Sequence, residues 1–328
     1  MFTFIGIDVS KNKFDICWLR DSVTGKRKNK VFKNTAQGHI ACSKWLLSTI
    51  KQPAENMVVV VEPTGVYHER LIHVLHDAGF KIRLVNPGKA SQYAKSLSLV
   101  HKTDKNDAYM LSQYGHAQQS KIKCWEPECP EVRELKVLLR RLDALETDLQ
   151  REMNRMESSE FSLSSRRVVQ SLQAMIDTLT SEIATLQQDI DDHIDQYPNL
   201  KKSRVLLESI KGIGSVMSRE LVYLFSAKEF KTAKQVAAYC GLIPKLKESG
   251  NFKGRTTLSK TGPSRIRAKL YMAAISASQY NPQIKAQQKR LLESGKTKMQ
   301  ALGAAMRKLI QICFGVFKHQ SEYQPQMN

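Results

Sequence analysis

Asp104 and Asp107 stand three residues apart where a helical pattern begins. Thr103 is suited to cap that helix, and the run from Ala108 to Ala117 continues it. A spacing of three puts both carboxylates on one side of the first turn. Held that close, two like charges repel and each raises the other's pKa. A basic neighbour or a divalent cation relieves such repulsion. Lys102 and Lys105 flank the pair, but their side chains are long and solvent-seeking. Two readings follow from this stretch alone: a metal site, or a solvated helix start whose acids the helix dipole favours.

The whole chain has 328 residues with Lys+Arg 51 against Asp+Glu 31, a net charge of +20. That excess points to a polyanion, nucleic acid first and an anionic membrane surface second. No run is long enough to span a bilayer, and the apolar start Phe2 to Ile7 meets Asp8 with no basic region before it, unlike a signal peptide. The six cysteines are scattered. Cys124 and Cys129 are too far apart for a metal knuckle, so all six read as reduced thiols of a cytoplasmic protein. The charge is unevenly spread: residues 198–328 carry 24 basic and 6 acidic side chains, residues 131–197 carry 8 and 14, and residues 1–130 carry 19 and 11. The contrast divides the chain into three regions, 1–130, 131–197 and 198–328, with most of the polyanion-binding surface in the last.

In the first region, Phe2 to Val9 reads as a buried strand and Lys13 to Leu19 as a second. The polar stretch Asp21 to Lys30 suits a hairpin before a short third strand at Val31 and Phe32. Ala36 to Ile50 has helical spacing behind a possible Thr35 cap. The β-branched run Met57 to Val61 is a central strand buried on both faces. A helix follows to about Ala78, then a strand Lys81 to Val85, then helical pattern into the opening stretch. Three meander strands followed by crossovers give a mixed α/β sheet. Asp8 lies on the first strand, and Glu62 at the carboxyl end of the fourth, where such sheets place ligands. Together with Asp104 and Asp107, four acids from distant segments converge in this reading. Four buried carboxylates without a cation would be prohibitively unfavourable, so convergence implies bound Mg²⁺ or Mn²⁺. His73 and His76 share a helix face and His68 lies nearby, but no acid or cysteine accompanies them at ligand spacing, and they read as ordinary helix histidines.

This order of elements, with Gly6-Ile7-Asp8-Val9-Ser10-Lys11, Glu62-Pro63-Thr64-Gly65 and Lys102-Thr103-Asp104-x-x-Asp107-Ala108, resembles the RNase H-like fold of the RuvC nuclease superfamily. The resemblance covers about 120 residues and implies a metal-binding tetrad of Asp8, Glu62, Asp104 and Asp107.

In the second region, Leu135, Leu138, Leu142, Leu145, Leu149 and Met156 follow an alternating three-four pattern, as do Leu172, Ile176, Leu179, Ile183, Leu186 and Ile190. That is a heptad seam, broken by the serine-rich patch from Ser158 to Ser165. It reads either as a helical hairpin packed on itself or as a coiled-coil arm for self-association; so polar a hairpin has little else to bury its seam against.

The third region is mostly helical. Lys211-Gly212-Ile213-Gly214-Ser215 between two helical patterns looks like a helix-hairpin-helix, whose Gly-x-Gly turn bares N–H groups to a phosphate at Gly212 and Gly214; a simple tight turn is the alternative. A short helix at Lys234 to Leu242 leads into a polar loop from Pro244 to Gly262, then a helix from Pro263 to Ser278 and a last amphipathic helix from about Lys296 to Lys318. A loop this long is functional or disordered. Its Ser249 and Ser259, with Ser264 just beyond, are equal candidates for a nucleophile, and any of them also suits a loop or cap.

With Asn86-Pro87, Lys102-Thr103-Asp104, Gly212-Ile213-Gly214, Gly241-Leu242-Ile243-Pro244, Glu248-Ser249-Gly250 and Leu270-Tyr271-Met272, the whole chain resembles the DEDD transposases of the insertion-sequence one-ten family. The resemblance implies a recombinase that cleaves and exchanges DNA strands, guided by a bridge RNA. It also implies Ser249 as nucleophile, a Mg²⁺-bound tetrad, donor and target DNA as substrates, and a dimer or tetramer. Lys102, Lys253, Arg255, Lys260, Arg265 and Arg267 would then meet phosphate. Two other readings stay open: a hydrolytic nuclease such as a junction resolvase, with the same acids and water as attacker, and a binding protein on a dead nuclease fold.

Overall fold

β1 (Thr3–Val9), β2 (Lys13–Leu19) and β3 (Arg27–Lys33) follow one another as antiparallel neighbours, the arrangement short polar links permit. Helix α1 (Ala36–Ile50) then starts at Thr35, whose hydroxyl accepts from the Gly38 N–H. After a 3₁₀ turn at Ala54–Asn56, β4 (Met57–Val61) lies parallel to β1 and is buried along its whole length. Helix α2 (Glu69–Asp77) carries the chain to β5 (Lys81–Leu84), parallel to β4. Helices α3 (Pro87–Ser96) and α4 (Asp104–Ala117) complete the unit. The sheet order is β3-β2-β1-β4-β5, the mixed sheet expected from the meander and crossovers. One face buries Ile5, Ile7, Phe14, Leu46, Val59 and Leu71; the other buries Phe4, Val58, Val60, Met110, Leu111 and Tyr114. These two sets alternate along β1 and β4, as a sheet covered by helices on both sides requires.

This computed structural model describes residues 2–97, 103–120, 123–162, 165–245, 248–249, 252–254 and 256–325, and divides them between two compact units, Met1–Pro127 and Glu128–Asn328.

Three details of the first unit depart from the sequence reading. β3 is a seven-residue strand, not a short one at Val31 and Phe32; as an exposed edge strand it has no apolar alternation to reveal it. α2 begins at Glu69, because Pro63 to His68 is spent on turns such as Tyr67 N–H to Thr64 O. α3 and α4 are separate helices, and Asn86-Pro87-Gly88 starts α3: the Asn86 side chain accepts from the Gly88 and Lys89 N–H groups, and Pro87 occupies the first turn.

The second unit opens with a hairpin of α5 (Pro130–Glu160) and α6 (Arg166–Gln196), each 31 residues long, broken within the serine-rich patch. At its base Leu135, Leu139, Leu142, Leu186, Ile190 and Ile194 are buried in the same cluster as the C-terminal helices. Farther out Leu149, Met156, Leu172 and Ile176 are only half-buried. Next come α7 (Pro198–Glu208), α8 (Ser215–Ala227) and α9 (Ala233–Tyr239). The expected loop carries two small ladders, β6 (Pro244–Lys245) with β9 (Thr257–Leu258), and β7 (Glu248–Ser249) with β8 (Phe252–Lys253). The signal for the inner pair was Gly250-Asn251, a dipeptide that two-residue hairpins favour. α10 (Ser264–Tyr280), α11 (Pro282–Glu293) and α12 (Lys298–His319) close the unit. α11 was not foreseen, although Asn281-Pro282 spells its start: Asn281 accepts from the Gln283 and Ile284 N–H groups. Among the described residues no helix is long and apolar enough to cross a membrane.

Candidate catalytic site

Backbone register brings the first two acids together. Ile7 of β1 pairs with Val61 of β4 in parallel, so Asp8 and Glu62 follow at the same end of adjacent strands. α4 crosses β1 at a distance only glycine permits: a Cβ on Gly6 would lie 1.9 Å from the Ala108 carbonyl oxygen and 2.5 Å from the Ser112 nitrogen. Farther along, a Cβ on Gly115 would lie 2.4 Å from Val60 Cγ2. Thr103 caps α4 by accepting from the Asn106 N–H at 3.3 Å, which fixes the turn bearing Asp104 and Asp107.

The electrostatics register this convergence at Asp8. Its carboxyl is pushed up to about 6, first by burial and then by Asp107, Asp104, Glu62 and Asp15. Asp8 thus feels the other three acids of the expected tetrad, and Asp15 as well. Lys13 answers part of the charge, its Nζ lying 3.0 Å from Asp15 Oδ2 and 2.8 Å from Asp104 Oδ2. That bridge raises the Lys13 pKa, Asp104 first and Asp15 next, and holds the Asp104 carboxyl below its usual range. Sequence reasoning missed Lys13 and Asp15. Their place becomes visible only when β1 and β2 pair, which sets Asp15 directly opposite Asp8.

Among the described residues no three His, Cys, Asp or Glu side chains already surround a common point. The donor set nevertheless suits a hard divalent cation: four carboxylates supply only oxygen ligands, and Asp8 keeps a repulsion that Lys13 leaves unrelieved. The histidines do other work. His73 and His76 meet the Trp125 ring edge-to-face, and His76 Nε2 lies 3.2 Å from Glu126. Cys17, Cys42, Cys240 and Cys313 are buried, and burial pushes the Cys42 thiol up to about 12.

In the second unit Ser249 lies on β7, paired with Phe252, and Lys253 follows on β8. Lys260 is exposed, with φ 52°. Lys102 and Arg255 lie outside the described residues. Arg265 and Arg267, expected to meet phosphate, are committed within the protein instead. Arg265 donates to Glu220 Oε2 at 2.7 Å and to the Leu139 carbonyl at 3.0 Å, and Lys269 adds a 3.0 Å contact to Glu220 Oε1. Glu220 is fully buried, so these cations neutralise it in place. Arg267 donates to the Cys240 and Gly262 carbonyls at 3.3 and 3.4 Å, bracing both ends of the loop. The two glycines of the α7–α8 turn also part company. Gly212 has φ 103°, and a Cβ there would lie 2.6 Å from that of Ala277, so packing against α10 accounts for it. A Cβ on Gly214, at the start of α8, would meet nothing within 4 Å, so that position stays open to a ligand.

Residues 5–159 match a family model described as "Transposase", and residues 204–289 match "Transposase IS116/IS110/IS902 family". Two proteins named "Pilin gene-inverting protein", from Moraxella lacunata and Moraxella bovis, are each 31% identical over 320 residues, covering 96% of this chain and 96% of the relative. The chain belongs to the IS110 transposase family. The family's first segment spans the acid cluster, and its second spans Ser249 and the α7–α8 turn. Among solved structures, "T. thermophilus RuvC in complex with Holliday junction substrate" is 13% identical with a TM-score of 0.29, over 38% of this chain and 100% of that one; at that level the likeness carries no argument.

Proposed function

We propose that this IS110-family transposase is a divalent-metal-dependent DNA recombinase that cuts and rejoins strands through a serine–DNA link. The observation that carries the reading is Asp8, raised to about 6 by burial and by Asp107, Asp104 and Glu62, acids from two other segments of the chain. Stable folds seldom gather like charges without a task for them. The sheet order supports the RNase H-like reading of the first unit.

Asp8, Glu62, Asp104 and Asp107 would hold Mg²⁺ or Mn²⁺. Bound there, the cation supplies Lewis-acid polarisation of a phosphate oxygen. Ser249 is the nucleophile: its Oγ forms a bond to phosphorus, the strand's P–O bond breaks, and the leaving oxygen takes a proton. An adjacent carboxylate accepts the serine proton. The new strand's hydroxyl reverses the step and frees Ser249. Lys253 and Lys260 neutralise charge on the phosphate oxygens. Donor and target DNA are the substrates, and a guide RNA, taken from the family resemblance, selects them by base pairing.

The relatives' name, gene inversion, favours strand exchange over simple hydrolysis, the resolvase reading. The test uses the DNA that flanks the gene in its own genome. With Mg²⁺, RNA transcribed from that flanking DNA and a denaturing quench, the wild-type protein leaves a covalent protein–DNA adduct that Ser249→Ala lacks. Asp8→Asn slows adduct formation by about a hundredfold or more. Cleavage without any adduct would make the protein a hydrolytic nuclease instead.

A further inference from the structure

The first unit carries its surplus charge in one place. From Ser22 to Ala54 there are seven Lys and Arg residues and no Asp or Glu, against a net charge of +8 for the whole of residues 1–130. This segment is β3 and α1. β3 is the edge of the sheet, with Arg27, Lys28, Lys30 and Lys33 all exposed, and Lys44 is exposed on α1. Among the described residues, none of Lys28, Lys30, Lys33 or Lys44 makes an ion pair.

The side chains are ordered as well as numerous. Lys28 and Lys30 lie two apart, on one face of the strand, and both ammonium groups hang over the half-buried Trp45 indole, at 5.8 and 5.3 Å from its centroid. Two cations on one strand face stand about 7 Å apart, a separation comparable to that of neighbouring phosphates along one nucleic-acid strand. An edge strand needs a charge or two to prevent pairing with other chains; that need does not account for an acid-free run extending through the next helix. The strand also has a direction. Its last residue, Lys33, pairs with Lys13, whose ammonium holds Asp104. The cationic edge therefore starts at the acid cluster and runs about 20 Å away from it.

We propose that β3 and α1 form a phosphodiester track, a surface that binds the backbone of a nucleic acid without reading its sequence and leads it to the carboxylate cluster. Only the track's destination rests on the function proposed above; its binding does not. A backbone engaged by lysines displaces counterions, so the track is measured through salt.

The experiment compares the full-length protein with Lys28→Gln/Lys30→Gln/Lys44→Gln and with the same three positions changed to Arg. Binding is followed by fluorescence anisotropy at several salt concentrations, without divalent cation so that no cleavage intervenes. The probes are duplex DNA, single-stranded DNA and RNA of one sequence. For duplex DNA each lost phosphate contact lowers the slope of log K against log salt by about 0.9, so the Gln triple loses about 2 to 3 from a track that uses all three; the Arg triple keeps the wild-type slope. The probe showing the largest loss identifies the strand that the track holds. An unchanged slope on all three probes overturns the proposal. So does an Arg triple as impaired as the Gln triple, because charge would then not be the cause. An inactive tetrad would leave the slopes untouched.

Discussion

Asp8 is pressed by burial and by four neighbouring acids, and its charge gives a test independent of DNA. Its pKa is raised from 3.8 to about 6, so the folded chain prefers it protonated. Ionising it costs the folded state nothing below pH 3.8 and its full amount above pH 6. Asp8→Asn should therefore raise the melting temperature of the metal-free protein at pH 7 and lose that advantage as the pH falls toward 4. The gain is about 1 kcal/mol at most, because solvent screens a partly exposed group. Mg²⁺ should stabilise the wild type at pH 7.5, less so at pH 5, and Asp8→Asn at neither, by mass action on the folded state. Calorimetry across pH checks both; a wild type indifferent to Mg²⁺ at pH 7.5 removes the metal site. The four acids could be read in sequence because each ends a strand or begins a helix, where periodicity is plain. Lys13 could not, because its role depends on which way a strand side chain points and on an Asp104 far along the chain. The internal partner of Arg265 was hidden for the same reason: Glu220 is 45 residues away, and a cation in a basic region looks free until its buried acid is seen.

Helix placement decides whether those residues meet. α4 rests on β1 over a glycine, with a would-be Cβ at 1.9 Å from the Ala108 carbonyl. Gly6→Ala must push α4 outward, carrying Asp104 and Asp107 from Asp8. Overpacking of this kind costs about 1–3 kcal/mol; adduct formation should fall far more steeply than stability, since a misplacement of about 1 Å is enough to lose a hundredfold. Urea denaturation and adduct yield, measured side by side, separate the two, and a Gly6→Ala protein with wild-type adduct yield would deny α4 its positioning role. The second unit has its own strut. Arg265→Ala leaves the buried Glu220 with Lys269 alone and should destabilise the protein by about 3 kcal/mol, while a Glu220→Gln change in the same background restores part of the loss. Were Arg265 a phosphate contact, its loss would weaken DNA binding and leave the urea midpoint in place. The Gly6 close approach was hidden in sequence because a glycine beside a strand's Asp reads equally well as a turn; only the crossing helix shows why no other residue fits.

At the scale of the whole molecule, the acids belong to one compact unit and Ser249 to the other, and the reaction proposed above calls on residues of both. The hairpin between them in sequence offers a way to bring two copies together. Its base is buried, but Met153, Phe161, Val168 and Met175 toward the tip are 49%, 87%, 47% and 48% exposed. Apolar groups left open at helical spacing on a polar arm are what self-association would cover. Val168→Glu/Met175→Glu should shift the protein to a smaller species in sedimentation analysis. If tetrad and serine are contributed by different copies, Asp8→Asn and Ser249→Ala proteins complement each other when mixed. Random assortment into two-fold dimers makes half the dimers mixed, with one of two sites intact in each, so the serine–DNA adduct returns to about a quarter of the wild-type yield. The recovered adduct must form on the Asp8→Asn chain, which still has its serine, and tagging that chain makes the assignment direct. Introducing the arm substitutions into both proteins should abolish the recovery. A mixture that forms no adduct, from proteins that still associate, would place acids and serine in the same copy and leave the arm a purely structural role.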